Sequence, residues 1–272
     1  MQMYVQANAS GLFDIAVRTG HAFVCHEMAR TTVPEKNSDV VRLRRLYVAY
    51  VDGQIERQVA ITNGGEIETA ILTSGAPHFV GGGHGDEVLT SVRYAVDGAE
   101  DIPDPGTGCS LVAIEQRSTL YRASTREPIA ELCKIWTLTP GGLDLQQTVT
   151  WLDAVTVLYA YLTMLPIYRD QHGGMVTTGR RSPDFEVEDI AESGHEVTRT
   201  QSSEASTEGT AGVTSRVQIL QGWNKPARAF FFSNSPEYAK LYFDFCGRYT
   251  TARGETWQVR ARFDVRAAQV MP

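Results

Sequence analysis

The chain has little that would commit it to a membrane, a metal or a nucleic acid. Among its 272 residues no apolar run approaches the ~20 needed to cross a bilayer as a helix, so no membrane insertion is expected. Cysteine is sparse: residues 25, 109, 133 and 246 stand far apart, with no Cys-x-x-Cys pair. That spacing argues against a structural zinc site and for separate thiols packed as small apolar groups, with two long-range disulfides left open. Net charge is −7, and the short basic group Arg42, Arg44, Arg45 stands alone, so the positive footprint of a nucleic-acid binder is missing. A nucleophile is missing too. There is no Gly-x-Ser-x-Gly elbow, and Cys25 and His26, as neighbours on a strand, point to opposite faces. Helical periodicity is scarce. Ser235-Pro236-Glu237-Tyr238 has the serine cap and early proline of a helix start with room for one turn, and 151–165 suits a short helix or a strand equally.

What the chain has in abundance is strand signal. Hydrophobic residues make up 42% and charged residues 21%, enough for a real core. Segments 43–51 and 54–61 flank Asp52-Gly53, a pair that accepts the positive φ of a tight hairpin. Further strands are expected at 87–96, 109–116, 130–139, 143–151, 213–220, 227–232, 240–245 and 255–266, with Pro140-Gly141-Gly142 as a tight connection. In the last strand Trp257, Val259, Ala261, Phe263 and Val265 alternate with Gln258, Arg260, Arg262 and Asp264. Such period-two strands bury one face and wet the other, so a second sheet must cover the first. The expectation is an all-β fold, a two-sheet β-sandwich or jelly roll with long loops and little helix. It is read as one domain over 1–272 with a Ser/Thr/Glu/Gly-rich mobile loop at 182–212.

Chemistry concentrates in Phe79-Val80-Gly81-Gly82-Gly83-His84-Gly85-Asp86-Glu87. Four glycines around a histidine suggest an imidazole presented from a bare, tight loop. His84 is a candidate base, with Asp86 or Glu87 orienting its ring and His78 as a second proton carrier. The competing reading makes the glycines a bulge or corner and His84 a backbone partner. No metal or other cofactor is expected. Tyr159, Tyr161, Tyr168, Arg169 and His172 group aromatic and basic side chains. Tyr161 and Arg169 suit acid–base chemistry on an acidic sugar, with Arg169 neutralising a uronate, while Tyr159 and Tyr161 on one strand face suit core packing equally. Trp223 and Tyr242 are further candidate contact residues for a ligand.

Three segments resemble β-sandwich proteins of bacteriophage tails: the glycine loop, the Trp136-Thr137-Leu138-Thr139…Gly142-Leu143-Asp144-Leu145 hairpin, and Tyr161-Leu162-Thr163-Met164-Leu165-Pro166. The hairpin is also similar to strands of polysaccharide-lyase and mutarotase-like sandwiches. The resemblance implies host cell-surface carbohydrate as ligand, with other tail proteins or further copies of the chain as partners. The opening Met1–Gln6 has neither the basic segment nor the apolar block of a secretory leader. A tail protein of a virus particle, cytoplasmic when synthesised, is therefore the first expectation, and a lyase-type depolymerase the second. If the C-terminal strand lies at a sheet edge, it is expected to pair with a neighbouring chain.

Overall fold

Alternation sets the architecture. In the computed structural model, the described residues are 2–52, 55–62, 67–101, 103–168, 176–181, 188–189, 195–198, 202–208, 211–221, 228–232 and 238–267. The first half of the chain gives β1 (Gln2–Ala7), β2 (Phe13–Thr19), β3 (Ala22–Val33), β4 (Ser38–Asp52), β5 (Ile55–Thr62), β6 (Ala70–Thr73), β7 (Glu87–Val96), β8 (Gly108–Cys109), β9 (Val112–Tyr121) and β10 (Pro128–Thr139). The second half gives β11 (Gly142–Trp151), β12 (Thr156–Tyr168), β13 (Val176–Arg181), β14 (Glu188–Asp189), β15 (His195–Thr198), β16 (Ser202–Glu208), β17 (Ala211–Gln221), β18 (Arg228–Phe232), β19 (Tyr238–Asp244), β20 (Tyr249–Thr250) and β21 (Thr256–Ala267). Helix among the described residues is limited to 3-10 turns at Pro34–Lys36 and Gly82–His84, and no helix is long and apolar enough to cross a membrane.

The large sheet runs β14-β13-β16-β17-β21-β11-β10-β9-β7-β4-β3-β2-β1-β8, with β5 paired to β4. The smaller sheet runs β15-β18-β19-β12-β20, with β6 paired to β12. One core is shared between them. Val157, Ala160, Leu162 and Phe243 from the small sheet pack in the same buried cluster as Leu145, Val149 and Trp257 from the large one. Trp257 meets Trp151 edge-on at 4.9 Å and Phe245 at 5.0 Å. The all-β, sandwich-like fold is the one that the period-two pattern requires.

Several local expectations hold. Trp257, Val259, Ala261 and Phe263 all face the core, and 143–151 pairs with 130–139 through the Pro140-Gly141 turn. The 43–51 hairpin forms with Asp52 opposite Ile55, its turn lying outside the described residues. None of the four cysteines is joined in a disulfide. The stretch 151–165, ambiguous in sequence, divides: Trp151 ends β11, and from Thr156 onward it is the strand β12, which pairs with both β6 and β19. The one-turn helix expected from Ser235 lies outside the described residues as far as 237, and Tyr238 begins a strand. Within the expected loop at 182–212, the described residues form β14, β15, β16 and the start of β17, so that segment carries ladder pairs. The C-terminal strand is not an edge: β21 lies between β11 and β17, which take up its hydrogen bonds on both sides.

One ladder positions the chemistry. Among the described ladders only β4 and β7 pair in parallel, through Ser38 opposite Glu87 and Asp39 opposite Val88. A parallel pair starts at one end, so residues 34–37 and the glycine loop, which precede these strands, arrive side by side.

Candidate functional site

The glycine loop is seated by backbone contacts. Its 3-10 turn is closed by the Gly81 amide donating to the Gly85 carbonyl (2.7 Å) and the His84 amide donating to the Gly81 carbonyl (3.0 Å). Gly81 and Gly85 flank the turn at φ +98° and +112°, conformations that side-chain-bearing residues rarely adopt. A Cβ on Gly81 would lie 2.9 Å from the Thr69 carbonyl, and one on Gly85 only 2.5 Å from the Lys36 carbonyl. The loop thus presses on residues 68–69, just before β6, and on the 34–37 turn. The corner reading of the glycines describes their backbone role.

On this loop the structure brings together part of the expected set. His78 Nε2 lies 2.9 Å from Asp86 Oδ2, with the His78 side chain 49% exposed and that of Asp86 6%. Asn37 Nδ2 also donates to Asp86, at 3.3 Å. Asp86 therefore orients His78, not His84 as expected, because the Gly85 bend turns its carboxylate toward the 34–37 side. His84 is partly buried. Burial, followed by the nearby Lys36 ammonium and His78, holds its imidazole below the ordinary histidine range, so it is neutral at neutral pH.

Beside these groups runs an aromatic row. His84 and Phe79 have ring centroids 5.6 Å apart; Phe79 stacks on Tyr161 at 5.6 Å, and Tyr161 stacks on Tyr159 at 5.9 Å. Tyr159 and Tyr161 do share a face, as alternation implies. They leave the main core to Ala160 and Leu162, however, and Tyr161 packs in a separate small cluster with Ala70, Met164 and Phe79. Tyr161 is 9% exposed and Tyr159 37%, so the row emerges at Tyr159. Tyr161 supports that row; its low exposure fits it poorly to proton transfer with solvent or a ligand.

Glu87 is a correction. The sequence suggests that it orients His84 at the ligand site, yet its side chain is wholly buried at the start of β7. It accepts from the Gly82 amide (2.6 Å), Gln116 Nε2 (2.8 Å), Ser118 Oγ (2.7 Å) and Lys134 Nζ (2.9 Å). Lys134 also donates to Glu68 at 2.6 Å, and all three charged side chains are fully buried. Sequence reasoning missed Lys134 and Glu68. A signal existed for Lys134: it occupies the inward parity shared by Leu132, Trp136 and Leu138. Burial pushes the Glu68 carboxyl up, and the two carboxylates hold Lys134 above the ordinary lysine value.

Tyr242 lies on β19, opposite Met164 and Phe230, its side chain outside the described part. Arg169, His172 and Trp223 lie outside the described residues. Among the described residues no group of three or more His, Cys, Asp or Glu is placed to hold a metal ion.

No protein-family model matches the chain, and no curated protein matches it in sequence. Solved structures match in shape. The galactosidase domain of an alpha-galactosidase–sucrose kinase superposes with a TM-score of 0.55 at 10% identity, over 97% of this chain and 42% of that one. The GH36 alpha-galactosidase AgaA from Geobacillus stearothermophilus gives 0.49 at 8% identity, covering 93% of this chain and 40% of that one. The Slr1438 protein from Synechocystis sp. PCC 6803 gives 0.43 at 8% identity, covering 89% and 96%. The chain spans less than half the length of the two galactosidase structures. At 10% identity the first match shows a shared fold.

Proposed function

We propose that the chain is a carbohydrate-binding β-sandwich whose ligand surface is the aromatic row ending at Tyr159, flanked by His78, Asp86 and His84. The observation that carries this reading is the aromatic row Phe79–Tyr161–Tyr159, stacked ring on ring with His84 tilted against Phe79, which rises from Tyr161, 9% exposed, to Tyr159, 37% exposed. Sugar C–H bonds carry slight positive charge and rest on the negative face of an aromatic ring. Rings already stacked lose little freedom when a ligand arrives. His78 offers the ring nitrogen not held by Asp86, and His84 a neutral imidazole, for hydroxyl groups at the margin. The fold shared with a galactosidase domain supports carbohydrate as the ligand class.

A second reading, acid–base chemistry on a bound sugar, is favoured by the 2.9 Å His78–Asp86 contact, an exposed imidazole with a buried carboxylate behind it. The place in a phage tail rests on sequence resemblance alone, since the fold match is to an enzyme domain.

A glycan array followed by titration calorimetry tests the proposal. Binding of an oligosaccharide that weakens about tenfold, or ~1.4 kcal/mol, in Tyr159→Ala while the fold stays intact is the expected result. Absorbance from unsaturated sugar ends, lost in His78→Ala, would move the assignment to the enzyme. Absence of binding to every glycan offered would overturn it.

A further inference from the structure

The inner face of the large sheet carries a polar row in the middle of an apolar core. Gln116, Lys134 and Gln147 stand directly opposite one another across β9, β10 and β11, and none is exposed to solvent. Each has partners. Gln116 Oε1 accepts from the Val41 amide (2.7 Å), while Gln147 accepts from the Thr69 hydroxyl and donates to the Leu162 carbonyl. Lys134 binds Glu68 and Glu87. Withdrawing three ions from water is costly, and apolar side chains of similar volume commonly serve a core as well or better. Stability alone is a weak reason for such a cluster.

Its position gives a better one. Glu87 Oε2 accepts from the Gly82 amide at 2.6 Å, a bond made to the main chain of the loop itself. Gly82 also rests on Glu68, since a Cβ there would meet Glu68 Cγ at 3.1 Å. Both carboxylates are therefore under the 3-10 turn, with Lys134 holding them together from below. Asp86 is the chain neighbour of Glu87, so an anchored Glu87 fixes where Asp86 can meet His78.

We infer that Glu68, Lys134 and Glu87 form a positioning network that seats the glycine loop, so that His78, Phe79 and His84 keep their ligand-ready arrangement before any ligand arrives. This rests on the reading of the loop as a ligand surface, and it names what holds that surface in place. The network touches no ligand. Its contribution is preorganisation: a loop held by a charge-assisted bond need not be ordered during binding. Arg42 on β4 is the other charged group facing Glu68. Its Nε and Glu68 Oε1 are both buried without a hydrogen-bond partner, so the network closes on the Lys134 side.

The test compares two neutralised cores. Lys134→Met/Glu68→Gln/Glu87→Leu removes the acceptor beneath Gly82, whereas Lys134→Met/Glu68→Gln/Glu87→Gln keeps an amide oxygen there. Hydrogen exchange of the Gly82 amide and the ring NMR signals of His78 and His84 are read in both, together with affinity for an array-selected oligosaccharide. The leucine variant is expected to exchange Gly82 at least about tenfold faster, shift both imidazole signals and lose about tenfold in affinity; the glutamine variant is expected to recover most of each. Unchanged Gly82 exchange and unchanged imidazole signals in the folded leucine variant would overturn the inference. Should either triple variant fail to fold, the single variants Glu87→Gln and Glu87→Leu are read the same way: Gly82 protection kept in the first and lost in the second supports an acceptor role, and equal loss in both refutes it. If the unaltered protein binds no glycan, the carbohydrate reading falls, while the exchange and NMR measurements still decide the network.

Discussion

Gly85→Ala puts the seating of the loop to a quantitative test. Gly85 has φ +112° and ψ −173°, a region essentially closed to other residues, and occupying it costs ~1–3 kcal/mol. The new methyl would stand 2.5 Å from the Lys36 carbonyl oxygen and 3.0 Å from Lys36 Cβ. Main-chain oxygen cannot swing aside like the end of a flexible side chain, so the two segments must part, at a further ~1–3 kcal/mol. Parting them stretches the 2.8 Å bond from the Asp86 amide to that same carbonyl, worth about 1 kcal/mol. A total loss of roughly 3–7 kcal/mol is expected, a large share of the ~5–15 kcal/mol typical of a domain. Gly98→Ala is the control: φ is +86°, but nothing lies within 4 Å of the added carbon, so backbone strain of about 1 kcal/mol is all that is expected. Urea denaturation of the two variants side by side, with glycan titration of each, separates contact from strain. Equal losses in stability for Gly85→Ala and Gly98→Ala would refute the claim that the loop is pressed against the 34–37 turn.

Other perturbations address the buried charges. His26, enclosed between β2 and β4, is lowered to about 4 by burial, and the Ile15 main chain opposes the shift only in part. A depressed histidine stabilises above its unfolded value of 6.5 and loses that contribution as pH falls toward 4. The unfolding free energy from urea titrations should therefore drop by about 3 kcal/mol across that window, and a His26→Leu variant with the same acid limb would exclude this cause. For Glu68 the sign is opposite: its folded carboxyl is raised above the ordinary 4.5, so stability is highest below that value and declines as pH rises through the folded one. Glu68→Gln should remove that decline, and difference curves between pH 4 and 8 that run parallel would contradict the assignment. Lys134→Met alone leaves Glu68 and Glu87 buried together without their cation, and a loss of ~3–5 kcal/mol in thermal or urea unfolding is expected. A loss below ~1 kcal/mol would mean that the two carboxylates are not charged as a pair around it.

Much of the fold could be read from residue order, and particular strands show why. Trp257, Val259, Ala261 and Phe263 report their own burial through spacing alone, since a strand turns successive side chains to opposite faces. The glycine loop was legible as a special backbone because four glycines in five consecutive positions, 81–85, suit few other purposes. The partners of its residues were not legible. Asp86 pairs with His78, and Glu87 turns inward to Lys134, because of where the parallel β4–β7 ladder places the loop. Glu68 meets Lys134 across 66 residues, a contact with no trace in local pattern.

Local order thus determined the strands, their buried faces and the unusual backbone at 81–86, all of which depend on sterics and polarity within a few residues. Only the tertiary structure decided which sheet each strand joined, that β21 became central, and that an aromatic row from β12 met a histidine loop from before β7. Those outcomes depend on long-range pairing, where the free energy of a contact lies in the burial that two distant segments give each other.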